Sequence, residues 1–142
     1  KAAIEAGGTA SAIQVCSERA PVIQNEVAAE KGLKIIRMSD KPRNPSHAAT
    51  ESDLAAIEYF RKGIAGGTPS EPQVTSQPDG SKTVRLPIVI NLPLCLQCHG
   101  QETDIKPDTR TAIAAIYPND QAVGYKLGDL RGIWRIDVPA SD

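Results

Sequence analysis

The sequence predicts an α+β fold, an antiparallel sheet flanked by helices, on three observations. Two long stretches carry apolar residues in steps of three and four, the period of one helix face. Three shorter runs alternate or cluster apolar residues between turn signals, as half-buried strands do. Between the second helical stretch and the clearest alternating run lies a segment rich in Pro, Gly and Ser. It carries the turn signal Pro78-Asp79-Gly80, the mark of a hairpin rather than of a linker between domains. A chain of 142 residues fits a single domain, 1–142, large enough to enclose a macrocycle in its own core.

After Gly7-Gly8, Thr9 or Ser11 caps the first helix, whose stripe is Ile13, Cys16, Ala20, Ile23 and Val27. The stripe turns Cys16 toward the interior. Pro21 lies off the stripe and removes a backbone hydrogen bond, so a kink or restart is expected there, and Lys31-Gly32 supplies the stop. Leu33 to Ser39, with Ile35, Ile36 and Met38, reads as a strand. Lys41-Pro42-Arg43-Asn44-Pro45 cannot be helix, because each proline pushes its predecessor toward an extended conformation. Thr50 or Ser52 caps a second helix with Leu54, Ile57, Phe60 and Ile64 on its apolar side, ended by Gly63 or Gly66-Gly67. The hairpin crown spans Gly66 to Lys82, and Val84, Leu86, Ile88 and Ile90 alternate beyond it. Pro87 places that strand at an edge or a bulge. Pro107 suits the first turn of a helix containing Ala112, Ile113, Ala115 and Ile116. In the last strand Trp134, Ile136 and Val138 point one way, and Ile133, Arg135 and Asp137 the other.

The most informative stretch is Cys95-Leu96-Gln97-Cys98-His99, since Cys-x-x-Cys-His is the attachment signature of a c-type heme. Two residues between the cysteines let both sulfurs reach the vinyl groups of one porphyrin edge, and His99 is then carried under the iron as its proximal ligand. The expected cofactor is one heme c, bound covalently through Cys95 and Cys98. A thioredoxin-like pair would want a long helix after it, whereas Gly100 and Pro107 follow closely. A zinc site would need two more ligands at short spacing.

The formal net charge is −1, so the basic excess that binds nucleic acid is absent and no nucleic-acid partner is expected. No apolar run approaches a membrane span, and no signal peptide begins the chain. Covalent heme attachment of this type follows export, so a targeting segment or anchor is expected in the precursor, and membrane association only through such a missing segment. Of three cysteines the thioethers would use two, leaving Cys16 without a partner in an oxidising compartment. Cys16, Met38 and His47 are the side chains available for the second axial position. Methionine and histidine are the commoner partners in c-type proteins. Met38 also fits a gap-filling core role, His47 a solvated loop, and Cys16 a small buried hydrophobe. Arg37, Lys41, Arg43 and Arg131 are candidates for the heme propionates, with Arg43 favoured by its proline-stiffened loop. Trp134 and Tyr125 are candidates to pack against the porphyrin.

Four blocks in consistent order carry a resemblance over nearly the whole chain. They are Ala12-Ile13-Gln14-Val15-Cys16, Lys41-Pro42-Arg43-Asn44-Pro45, Cys95-Leu96-Gln97-Cys98-His99-Gly100, and Gly124-Tyr125-Lys126-Leu127-Gly128-Asp129-Leu130-Arg131-Gly132. The chain resembles a family of exported monoheme proteins with a PAS-like domain, known from cyanobacteria and other bacteria. The resemblance implies a PAS-like fold and heme ligation by histidine and a cysteine thiolate, with His99 and Cys16 as the iron ligands. It further implies a redox or gas-sensing role, with a redox partner protein or signalling domain as partner.

An anionic thiolate stabilises ferric iron and lowers the reduction potential. Reduction should weaken the Fe–S bond, and a proton taken up by the leaving thiolate opens a position for CO or NO. The alternative function is a low-potential electron-transfer carrier of the periplasm or thylakoid lumen. An enzyme such as a peroxidase needs an open iron face and a distal base, for which His47 is the remaining neutral candidate beside His99, and no enzyme is expected.

Overall fold

The first and last strands of the chain are neighbours in one sheet. The structure, a computed structural model, describes residues 2–68 and 71–141, so positions 69 and 70 of the expected crown lie outside the described residues. Strands β1 (Lys34–Met38), β2 (Gln73–Ser76), β3 (Lys82–Val89) and β4 (Leu130–Val138) pair antiparallel in the order β1-β4-β3-β2. β2 and β3 form the expected hairpin, closed where the Gln77 amide donates to the Ser81 carbonyl at 2.8 Å. β3 is therefore interior, not an edge. Pro87 is tolerated because β2 pairs only with Lys82–Arg85, so no ladder bond is asked of it on that side, and a bulge follows at Ile88/Val89.

Register divides the side chains between two faces. Ile133 and Arg135 lie opposite Met38, Ile36, Pro87 and Arg85 on one of them. Helix α2 (Glu51–Ala65) covers that face, burying Met38, Ala56, Ile57, Phe60, Leu130 and Ile133 as the main core. Its start is fixed by a capping box between Thr50 and Asp53. Leu54, expected on the buried side, is exposed, because the contact stripe runs through Ala56, Ile57 and Phe60 instead. The other face carries Ile35, Val84, Leu86, Ile88, Trp134 and Ile136, each only half-buried.

Helix α1 (Ala2–Lys31) runs through Pro21 without the expected kink; Pro21 is exposed, where solvent can serve the carbonyl its ring leaves without a donor. The break falls at Gly8, whose φ of 74° is a left-handed conformation that glycine adopts cheaply. Thr9 then does not cap. Its hydroxyl meets that of fully buried Thr109, tying α1 to α4 (Pro107–Ile116). At the far end the Leu33 amide bonds Ala28 and the Gly32 amide bonds Ala29, the paired bonds of a glycine-ended helix.

The inward placement of Cys16 is corrected: Cys16 is exposed, as are Ile23 and Val27 of its stripe, while Ile13 is buried against Ile105 and Ile113. Ten-residue α4 is far shorter than α1, so it can cover only one end of the stripe. Beyond that end α1 meets β1, where Gln24 Nε2 donates to the Ile35 carbonyl at 2.7 Å. Among the described residues no helix is long and apolar enough to cross a membrane.

Candidate functional site

β3 delivers the chain to helix α3 (Pro93–His99), which opens on Pro93, the residue best suited to a first helical turn, and holds the whole Cys-x-x-Cys-His motif. Helical spacing brings Cys95 and Cys98 to neighbouring positions on one side of α3. Cys95 and Leu96 pack against Ile90, Ala122 and Tyr125. Cys98 packs against Ile13, Ile105 and Ile113, and so touches the α1–α4 junction. Burial pushes the Cys98 thiol above its ordinary range, Arg43 lowers it, and the Cys16 and Cys95 thiols raise it further. Exposed Cys16 thus stands within electrostatic reach of Cys98, 82 positions further along the chain.

His99 is held by backbone. Its Nδ1 lies 2.8 Å from the Ala122 carbonyl oxygen, which can only accept, so Nδ1 carries the proton and Nε2 keeps its lone pair for a metal. Burial, with the charges of Arg43 and Arg131, lowers the imidazole to about 4, so it is neutral and able to ligate at physiological pH. The loop that supplies Ala122 is laced to the motif: the Tyr125 amide donates to the His99 carbonyl at 2.9 Å and the Gly124 amide to that of Gly100 at 2.8 Å. The Tyr125 ring stands edge-on to His99 at 6.3 Å.

Arg43 closes the clasp from the proline-stiffened loop. One of its terminal nitrogens donates to the Cys98 carbonyl at 2.5 Å and to the Ala122 carbonyl at 3.2 Å, and pairs with Asp120 at 3.1 Å. One nitrogen of Arg43, the cation favoured above for a propionate, is thus committed to Asp120 and two carbonyls, where it positions the motif, while its Nε is buried without a partner. Met38 belongs to the core beneath α2, which fits its packing role. His47 lies on a 3₁₀ turn (Pro45–His47), half-buried, its imidazole lowered by burial and by Arg37 and Arg131. Lys41 Nζ donates to the Val123 carbonyl at 2.8 Å and sits over the Tyr125 ring. Arg131 donates to Ser39 Oγ at 2.9 Å.

Sequence reasoning missed Asp120, the Ala122 carbonyl and the steric role of Gly100. Asp120 carried a readable signal, since Pro118-Asn119-Asp120 is turn-forming and its carboxylate accepts from the Ala122 amide at 2.8 Å. A carbonyl has no residue type and leaves no such trace.

Fold and site together define an α+β protein that presents a Cys-x-x-Cys-His helix, with an oriented neutral histidine, at the end of a four-stranded antiparallel sheet. Residues 3–139 match the Tll0287-like family model, and the chain belongs to that family. Among solved structures it is similar to the cyanobacterial heme-protein Tll0287, at 29% identity and a TM-score of 0.70 over 90% of this chain and 73% of that one. No curated protein matches it.

Proposed function

We propose that this chain is a single-domain (1–142) monoheme c-type cytochrome of PAS-like architecture, acting as a heme-based redox or gas sensor domain. The observation that carries the reading is the His99 imidazole, its Nδ1 held by the Ala122 carbonyl and its Nε2 bare, at the end of a helix that also carries Cys95 and Cys98. Cys95 and Cys98 would hold the heme covalently, His99 Nε2 would bind the iron on one side, and Cys16 on the other. The residues fit such a group: Nε2 of His99 is free of the proton, and the half-buried sheet face of Ile35, Leu86, Ile88, Trp134 and Ile136 is apolar. When bound, heme supplies a one-electron couple and an axial position for CO or NO. Cys16 would serve as a thiolate ligand and would take up a proton when released. Its exposure allows that proton to come from solvent. The similarity to a protein described as a heme-protein supports the cofactor. Function as a binding module rather than an enzyme, export to the periplasm or thylakoid lumen, and signalling to a redox partner or output domain belong to the same reading.

A low-potential electron carrier is the second reading, favoured by one observation. Leu92 and Leu94 are exposed immediately before Cys95, an apolar rim at which a partner protein can approach a heme edge.

The test is low-temperature EPR of the ferric protein beside Cys16→Ala, with mass spectrometry of the denatured chain. Heme that stays on the unfolded polypeptide, with low-spin signals that change in the variant, is the expected result. Identical low-spin signals in the two proteins would remove Cys16 from the iron.

A further inference from the structure

Of the four cations that are candidates for a heme propionate, three already donate to groups of the protein. Arg43 faces Asp120 and two carbonyls, Arg131 faces Ser39 and the Lys41 carbonyl, and Lys41 reaches the Val123 carbonyl. Arg37 is different. Among the described residues its guanidinium has no carboxylate and no hydrogen-bond acceptor at any nitrogen, and its Nε, like that of Arg43, is shut off from solvent without a partner. Its guanidinium lies over the Trp134 ring at 5.6 Å, which fixes the direction of the fork without using its donors.

Position gives that fork a purpose. Arg37 pairs across the sheet with Trp134, and Trp134 with Leu86, so it stands on the half-buried apolar face rather than on the face that α2 covers. Half-buried Arg131 is lowered by burial and by the charges of Arg43 and Arg37, against Tyr125 and Asp120, which raise it, so Arg37 stands among like charges. A buried unpaired donor and clustered like charges both cost free energy that an anion would recover.

Resting on the heme reading above, we infer that Arg37, steered by Trp134, binds a propionate carboxylate of the heme. A guanidinium presents two parallel donors to one carboxylate, the geometry that a planar fork fits and an ammonium does not.

The test uses the full heme-loaded chain with Arg37→Gln and Arg37→Lys, and Lys34→Gln as a control on the same strand. Covalent attachment keeps the heme in place when the anchor is lost, so heme content and circular dichroism confirm folding independently. In Arg37→Gln the reduction potential should fall, because an uncompensated carboxylate favours the ferric state. The pH at which the potential begins to vary should rise by about one unit or more, as a carboxylic acid losing a neighbouring cation does. Arg37→Lys should restore most of both, and Lys34→Gln should change neither. A heme-loaded Arg37→Gln with the wild-type potential and pH profile overturns this inference alone. So does a wild-type potential that follows added phosphate or chloride at constant ionic strength, which would assign the site to a soluble anion. A chain that takes up no heme overturns the parent reading, and this inference with it.

Discussion

His99 owes its usefulness to the groups behind it. A histidine ligand must present one nitrogen bare and hold the other, and here the Ala122 carbonyl does the holding, itself fixed by the Asp120 turn and by Arg43. Gly100 serves the same end by being small. Its φ of −77° suits any residue, but a Cβ there would lie 2.6 Å from both the Leu96 carbonyl and Asp104 Oδ2. Gly100→Ala must therefore distort the last turn of α3 and displace Asp104. We expect a loss of about 1–3 kcal/mol in urea unfolding, together with a lower yield of covalently attached heme per chain. A glycine after the motif was legible in the sequence; the reason for it was not, because the crowding comes from folding the loop back.

At the scale of elements, α2 is joined to the sheet by apolar contact and by a buried charge cluster. Asp53 is fully buried, with Arg85 Nε at 3.0 Å and Arg135 Nη1 at 2.9 Å, two arginines that face each other across β3 and β4. Burial alone would raise its carboxyl, but hydrogen bonds from Thr50 and Arg85 and the charge of Arg135 hold it below the usual carboxylate range. The unfolded chain therefore takes up this proton first as pH falls. Stability from the cluster is full above the unfolded value, about 3.9, and is lost as pH falls from there through the lower folded value. Asp53→Asn should cost about 3 kcal/mol at pH 7, since it leaves two guanidiniums without their anion. Urea unfolding at pH 7 and pH 3 should show the gap between variant and wild type narrowing at the lower pH. The capping role of Thr50 and the apolar period of α2 were readable in advance. The pairing of Asp53 with residues 32 and 82 positions away was not, since it depends on strand register.

For the molecule as a whole, the decisive feature is an asymmetry between the two faces of one sheet. α2 seals one face, and the other is lined by six half-buried apolar or aromatic side chains beside α3. A heme laid there would complete the second layer that a sheet of this composition requires. The Cys95→Ala/Cys98→Ala protein, unable to form thioethers, should bind a hydrophobic dye strongly at that face and melt at least about 5 °C below the loaded protein. Equal dye binding and equal melting by the two forms would show that the face needs no such cover.

Local period, turn chemistry and residue type were enough for α1, α2, α4, β1, β3, β4, the Pro78-Asp79-Gly80 turn, the Cys-x-x-Cys-His motif and the spare thiol, but not for β2 inside the expected crown or for α3 across the motif. Long-range packing alone settled that Pro21 leaves α1 intact, that Cys16 is exposed yet within electrostatic reach of Cys98, that Arg43 is a clasp and that Arg37 has no hydrogen-bonded partner among the described residues. These depend on how far one helix outruns another and on which strands are neighbours, and both are set by contacts between residues far apart in the chain.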